Sequence, residues 1–235
     1  MKVIKAMSYA DLSKKAAIVM AAQIIRNPKS VLGFATGSTP LGAYAELARM
    51  FADGAVDFSG IVSFNLDEYY GLAAAHPQSY HYYMRQNLFS HVNINPDNIR
   101  IPNGVAVDPE QECAEYEQSI QDAGGIDFQL LGIGRNGHIG FNEPGEIFTD
   151  KTHLTYLASD TLSANSRFFG PGEKMPTQAI SMGIGTIMRA KSILLIASGA
   201  DKADALSKMI NGPVTPQMPA SALQYHRDAI VMYCD

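Results

Sequence analysis

The sequence predicts an α/β fold, a mostly parallel sheet with helices on both faces, on three observations. Short apolar runs alternate with helical segments along the chain, the signature of crossover connections between parallel strands. Hydrophobic residues make up 46% of the 235 positions, enough for a substantial core. Four of the apolar runs are followed by polar, glycine-containing segments, as in open sheets whose ligands sit beyond the carboxyl ends of the strands.

Each element has its own signal. Residues 8–26 carry apolar side chains at helical spacing behind Ser8, a good N-cap. VLGFA (31–35) is a short buried strand and LGAYAELARMF (41–51) a helix. IVSFNL (61–66) is a strand, and QSYHYYMRQNLF (78–89) and PEQECAEYEQSIQ (109–121) are helices. DFQLLGI (127–133) is a strand, and HLTYLA (153–158) alternates like an exposed or edge strand. SILLIA (192–197), DKADALSKMI (201–210) and AIVMY (229–233) add strand, helix and strand. FFGPGEKMP (168–176) breaks the alternation and reads as a mobile loop. No repeat or linker divides the chain, so the expectation is one α/β domain over 1–235 with an active-site lid around 160–178.

Bulk chemistry excludes several partners. The formal net charge is −5, so an anionic ligand must be held by local cations and backbone N–H groups against the global field. Without a basic run, nucleic acid is not an expected partner. The two cysteines, Cys113 and Cys234, are far apart and in no metal-like spacing. The N-terminus lacks an apolar h-region, and SILLIA is too short to span a bilayer. The expectation is a cytoplasmic protein without membrane association.

The four strand ends carry the chemistry. TGSTP (36–40) places Gly37, Ser38 and Thr39 before a helix, with Pro40 suited to its first turn. It reads either as an anion site built from free N–H groups or as a plain turn with Thr39 as N-cap. DEYY (67–70) offers two adjacent carboxylates that cannot share one strand face, so one can enter the crevice while the other anchors structure. SGADK (198–202) puts Lys202 near a helix start, where a cation opposes the dipole unless an anion lies between them. Arg167, beside the expected lid, is a second cation candidate, and for both the alternative is a solvated surface charge.

GIGRNGHIGFNEPG (132–145) contains G-x-G-x-x-G, the spacing of a dinucleotide loop. That reading requires an immediate helix and an acidic residue roughly 20 positions on. Gly140, Pro144 and Gly145 oppose the helix, and Leu157 and Ala158 occupy the acidic position. What remains is a glycine-rich loop carrying His138 and Glu143, an imidazole and a carboxylate able to move a proton near neutral pH.

Taken together, TGSTP, NLDEYYGL, GIGRNGHIGFNEPG, ANSRFF and SGADKADAL resemble the glucosamine-6-phosphate deaminase family, and HPQSYHYYM and SALQYHRDAIVMY fit it too. The likeness runs through nearly the whole chain in order. It implies a Rossmann-like fold, conversion of glucosamine 6-phosphate and water to fructose 6-phosphate and ammonia, and no metal or organic cofactor. It also implies roles. Asp67 is the base that takes the C2 proton and returns it at C1. His138 handles the ring-opening proton, helped by Glu143 and oriented by Asn136. The substrate's phosphate lies on Thr36, Gly37, Ser38 and Thr39 with Arg167 and Lys202.

Three departures from the family pattern matter. Many members carry Asp where this chain has Asn136, and an amide cannot stabilise an imidazolium by charge. The chain ends at Asp235, whereas the longer hexameric members continue. Positions that are basic in allosteric members are here His153 and Thr155. The resemblance therefore implies a monomer or small homo-oligomer needing no activator. Two rival readings stay open: a 6-phosphogluconolactonase-like hydrolase, which releases no ammonia, and a non-catalytic sugar-phosphate sensor, which has no use for Asp67, His138 and Glu143 together.

Overall fold

A computed structural model describes residues 1–235 except Phe168 and Pro171, and except the side chains of Asp160 and Ala164. The strands are β1 (Lys2–Lys5), β2 (Val31–Phe34), β3 (Val62–Asn65), β4 (Asp67–Tyr70), β5 (Ile99–Arg100), β6 (Phe128–Leu131), β7 (His153–Tyr156), β8 (Gln178–Ser181), β9 (Ser192–Ser198) and β10 (Ala229–Cys234). The helices are α1 (Tyr9–Arg26), α2 (Leu41–Ala52), α3 (Tyr80–Asn87), α4 (Pro109–Asp122), α5 (Ser159–Ser166), α6 (Ile184–Met188) and α7 (Ala203–Asn211).

Seven strands form one parallel sheet in the order β1-β10-β9-β6-β2-β3-β5. Its centre is built from the most apolar runs: β2 and β6 are buried at every residue, and β9 is buried at all but its two ends. That is what a strand covered on both faces requires. α1 starts where expected, with the Ser8 hydroxyl accepting from the Asp11 N–H, and buries Leu12, Ala16, Met20 and Ile24 at intervals of one turn. α1 packs on α2 and α2 on α3. Connections that step along the sheet in the other direction carry α4, α6 and α7 to the opposite face when they cross right-handed.

The chain reverses its stepping direction between β2 and β6. From β2 it moves outward to β3, and from β6 it moves the other way to β9 and β10. The carboxyl ends of these two neighbouring strands therefore border the topological switch point, where open α/β sheets form their ligand crevice.

A second, antiparallel sheet in the order β4-β8-β7 lies beyond this edge and corrects several expectations. DEYY is β4 itself and not a strand-end loop; it pairs residue by residue with Gln178–Ser181. The segment 160–178, expected as a lid, is helical up to Ser166 and enters β8 at Gln178. Phe168 and Pro171 of that segment lie outside the described residues. HLTYLA does form an edge strand, β7, with Tyr156 exposed. The helix expected over 78–89 is trimmed to Tyr80–Asn87, with Ser79 as its N-cap. No described helix is long and apolar enough to cross a membrane.

Candidate active site

The loop after β2 turns sharply before α2. Gly37 has φ +102, a conformation open to glycine and strained for other residues. α2 begins at Pro40 with no side-chain cap, so the alternative of Thr39 as N-cap is not realised. Tyrosine hydroxyls engage the loop's carbonyls: Tyr44 donates to Ala35, Tyr83 to Gly37, and Tyr9 lies 3.2 Å from the carbonyls of both Ser38 and Thr39. Tyr9 also accepts from the Gly42 N–H. With the carbonyls held this way, N–H groups are what the loop offers to the crevice, at the positive end of a helix dipole.

β4 delivers Asp67. Its carboxyl group is buried, and its pKa is pushed up to about 8, first by loss of solvent and then by the neighbouring Glu68. Antiparallel pairing sets Asp67 opposite Ser181, whose hydroxyl accepts from the Phe141 N–H. A Cβ on Gly140 would stand 3.6 Å from Asp67 Oδ2. The acid at the start of β4 and the glycine loop after β6 therefore lie side by side, two residues from His138.

The loop after β6 turns back on itself, with the Gly134 N–H donating to the His138 carbonyl and the Gly137 N–H to that of Gly134. No helix follows until α5, so the G-x-G-x-x-G spacing does not build a dinucleotide site. Its glycines have another cause. A Cβ on Gly134 would fall within 2.6 Å of the His138 ring, so the ring is seated flat against bare backbone. Gly137 adopts φ +86 above the Met218 sulfur.

Around that ring the sequence-derived residues converge. His138 Nδ1 lies 3.2 Å from Glu143 Oε2, an ion-pair distance approached too obliquely for a hydrogen bond. Asn136 Nδ2 donates to the same oxygen at 2.7 Å, and Asn136 Oδ1 accepts from the His138 N–H at 3.2 Å. Thr161 of α5 donates to Glu143 Oε1. Burial alone would lift the Glu143 pKa, but His138, Thr161 and Asn136 together bring it down to about 2.

The phosphate candidates are placed less tightly. β9, neighbour of β6, ends in a turn that puts Lys202 at the start of α7. Burial lowers the Lys202 pKa, and Arg135, ion-paired with Asp201 at 2.7 Å, adds a second cation to that corner. Arg167 is exposed at the C-terminus of α5. Thr36 is half-buried, and it is one influence on the Tyr80 hydroxyl.

Some participants escaped the sequence reading. Thr161 is one; Tyr69, Tyr80, Phe141 and Phe169 form another group, an aromatic cluster beside Asp67. Asn165 Nδ2 donates to the Tyr69 hydroxyl at 3.0 Å, and His76 bridges to Glu173 at 2.8 Å, so the 159–176 segment rests on β4 and the chain before α3. A cavity of about 860 Å³ opens elsewhere, between α3, α4 and the β5 edge, and contains none of the expected site residues. Among the described residues no cluster of three His, Cys, Asp or Glu side chains could hold a metal ion.

Fold and candidate site together describe an α/β protein with a buried acid beside an imidazole–carboxylate loop, and with an uncapped helix start after the neighbouring strand β2 of its parallel sheet. The sequence profile of the glucosamine-6-phosphate isomerases/6-phosphogluconolactonase family matches residues 5–232, and the chain belongs to that family. It is 55% identical to a glucosamine-6-phosphate deaminase of Clostridium botulinum (strain Kyoto / Type A2), over 99% of this chain and 95% of the relative. Identity to a glucosamine-6-phosphate deaminase of Clostridioides difficile (strain 630) is 54%, over 99% and 93%. The solved structure of a monomeric glucosamine-6-phosphate deaminase superposes with a TM-score of 0.97 at 46% identity, covering 100% of this chain and 97% of that one. A 6-phosphogluconolactonase from Thermotoga maritima matches at TM-score 0.76 and 19% identity, over 99% of both chains, a likeness of fold alone.

Proposed function

We propose that this protein converts glucosamine 6-phosphate and water to fructose 6-phosphate and ammonia. The observation that carries the reading is buried Asp67 set beside the loop that holds Asn136, His138 and Glu143. The relatives that share the full length of the chain bear the same activity in their names.

The residues suit the steps. A cyclic aminosugar must open before its C2 proton becomes acidic. His138 takes the proton of the anomeric hydroxyl and delivers one to the ring oxygen, with Glu143 beside it stabilising the imidazolium. Asn136 cannot contribute charge, so Glu143 carries that duty alone, and Asn136 fixes its position. Asp67 removes the C2 proton and returns it at C1, which moves the double bond and leaves an imine at C2. Water adds there, and the carbinolamine expels ammonia. A carboxylate with raised proton affinity is the stronger base for a carbon acid, and burial raises it. The phosphate is the handle: N–H groups of residues 36–39, with Lys202 and Arg167, hold it so that C2 stays against Asp67.

Both cysteines are free thiols, which suits the reducing cytoplasm where such sugar phosphates occur. The test is ammonia release from glucosamine 6-phosphate, wild type against Asp67→Asn. The variant should lose at least about a hundredfold in kcat, the lower end of what a general base supplies. No ammonia from the wild type, or an unimpaired variant, sinks the reading.

A further inference from the structure

The adjacent carboxylate, Glu68, has no part in the chemistry above, yet it is fully buried. Its surroundings are built for it. Oε1 accepts from the N–H groups of Tyr69 at 2.8 Å and Tyr80 at 2.9 Å. Oε2 accepts from the His81 N–H at 3.0 Å and lies 2.9 Å from His81 Nδ1. Three N–H donors and an imidazole nitrogen converging on two oxygens suit an anion, and two of the donors are N–H groups at the start of α3 that the helix itself leaves unpaired. Gly104 is packed so closely over this point that a Cβ there would stand 3.2 Å from Glu68 Cγ and 2.4 Å from the Tyr69 carbonyl.

Successive side chains on a strand point to opposite faces. Locking Glu68 onto α3 therefore turns Asp67 the other way, towards Gly140. The same lock positions Tyr80, the first residue of α3, whose ring packs on that of Tyr69 at 4.9 Å between centroids. We propose that Glu68 is a positioning residue for Asp67: pinned by the first turn of α3, it fixes the inward aim of Asp67 and keeps a second negative charge beside it.

Among the described residues, Asp67 faces Glu68 and a set of hydroxyls. The ionisable groups that sense Asp67 are hydroxyls: Tyr44 from α2, Tyr69 from β4, Tyr80 from α3 and Tyr116 from α4. Across β8 the facing residue is Ser181, and from the loop it is Gly140. Glu68 faces His81, Tyr69 and the Gly104 backbone. Burial does most to hold the proton on Asp67, and Glu68 adds to it.

This inference rests on the proposed role of Asp67, but its test does not need turnover. Asp67 is titrated by carboxyl 13C NMR in the free protein, in wild type and Glu68→Gln. Removing the charge while keeping the shape should lower the Asp67 midpoint by about one pH unit, a tenfold drop in proton affinity. In the ammonia assay kcat should fall with KM little changed, because Glu68 does not touch substrate. An unmoved midpoint in folded Glu68→Gln overturns the proposal, since a merely structural residue would leave it where it was. Should that variant not fold, His81→Phe removes the ring nitrogen beside Glu68 and leaves the charge less compensated, and the Asp67 midpoint should rise; no rise overturns the proposal equally. A wild type that titrates as described but releases no ammonia would refute the proposed reaction and not the pairing of the carboxylates.

Discussion

Asp67 costs the fold something at the pH where it is useful. Its folded pKa of about 8 stands far above the ordinary carboxylate value of 3.8. Between those two values the folded state binds the proton more tightly than the unfolded chain, so stability is fully present below about pH 4 and falls as pH rises through about 8. Asp67→Asn removes the titration while keeping the shape. The variant should match the wild type in thermal stability at pH 4, exceed it by a growing margin towards pH 8, and hold that margin at pH 9, even as it loses turnover. Thermal melts across this range check the sign; a margin that does not grow with pH would mean Asp67 is not held in a dry site. Glu143 shows the opposite sign. Its pKa is brought down to about 2, so its partners stabilise the fold above the ordinary carboxylate range, and that help is lost only as pH falls towards 2.

α5 shows how an element outside the central sheet enters the site. Its Thr161 hydroxyl is the contact that ties Glu143 to the segment expected to act as a lid. Thr161→Val keeps the shape and β-branching but removes that donor. It should lower kcat/KM by roughly tenfold, the worth of one hydrogen bond to a charged group, with the larger part in kcat. Steady-state kinetics with glucosamine 6-phosphate decide it, and an unchanged kcat would confine α5 to packing. Elements of this kind explain what the sequence conceals. α1, α2 and α4 are legible because their apolar spacing is local, and in α1 the Ser8 cap is too, and β2, β6 and β9 because they are apolar runs. β4 and β8 are not: DEYY and QAIS have neither alternation nor length, and they are strands only because they pair with each other across more than a hundred residues. β5 has two residues and β1 is a charged edge strand, so neither offers a pattern to read. In the site, the strand-end rule found Asp67, His138 and Glu143, which lie next to recognisable strands. It missed Tyr9, Tyr83 and Thr161, whose partners are fixed by tertiary packing and not by spacing.

At the scale of the whole molecule, the question is whether anything beyond substrate controls the site. A cavity of about 260 Å³ lies just behind the loop after β6, lined by Glu143, Pro144, Glu146, Phe148, His153 and Thr155 among others. In allosteric members of the resembling family, positions matching His153 and Thr155 are basic. Here the lining described contains no Lys or Arg, and two of its members are acidic. His153 does not supply the missing cation, because burial lowers its pKa and keeps the ring neutral. A phosphorylated activator entering this space would meet carboxylates in a protein whose net charge is already −5, with no counter-charge to offset its desolvation. Coupling requires an effector to bind one state better than another, and this cavity offers an anion no favourable state to bind. The expected outcome is hyperbolic dependence of rate on glucosamine 6-phosphate, unaffected by N-acetylglucosamine 6-phosphate, from a protein that runs as a monomer or small oligomer in light scattering. Introducing charge should alter the cavity and not the chemistry: Thr155→Lys should let the same compound bind, read by calorimetry, where the wild type shows no heat. Sigmoidal kinetics in the wild type, relieved by N-acetylglucosamine 6-phosphate, would mean that an anion site exists elsewhere on the chain and that the acidic lining of this cavity is irrelevant to control.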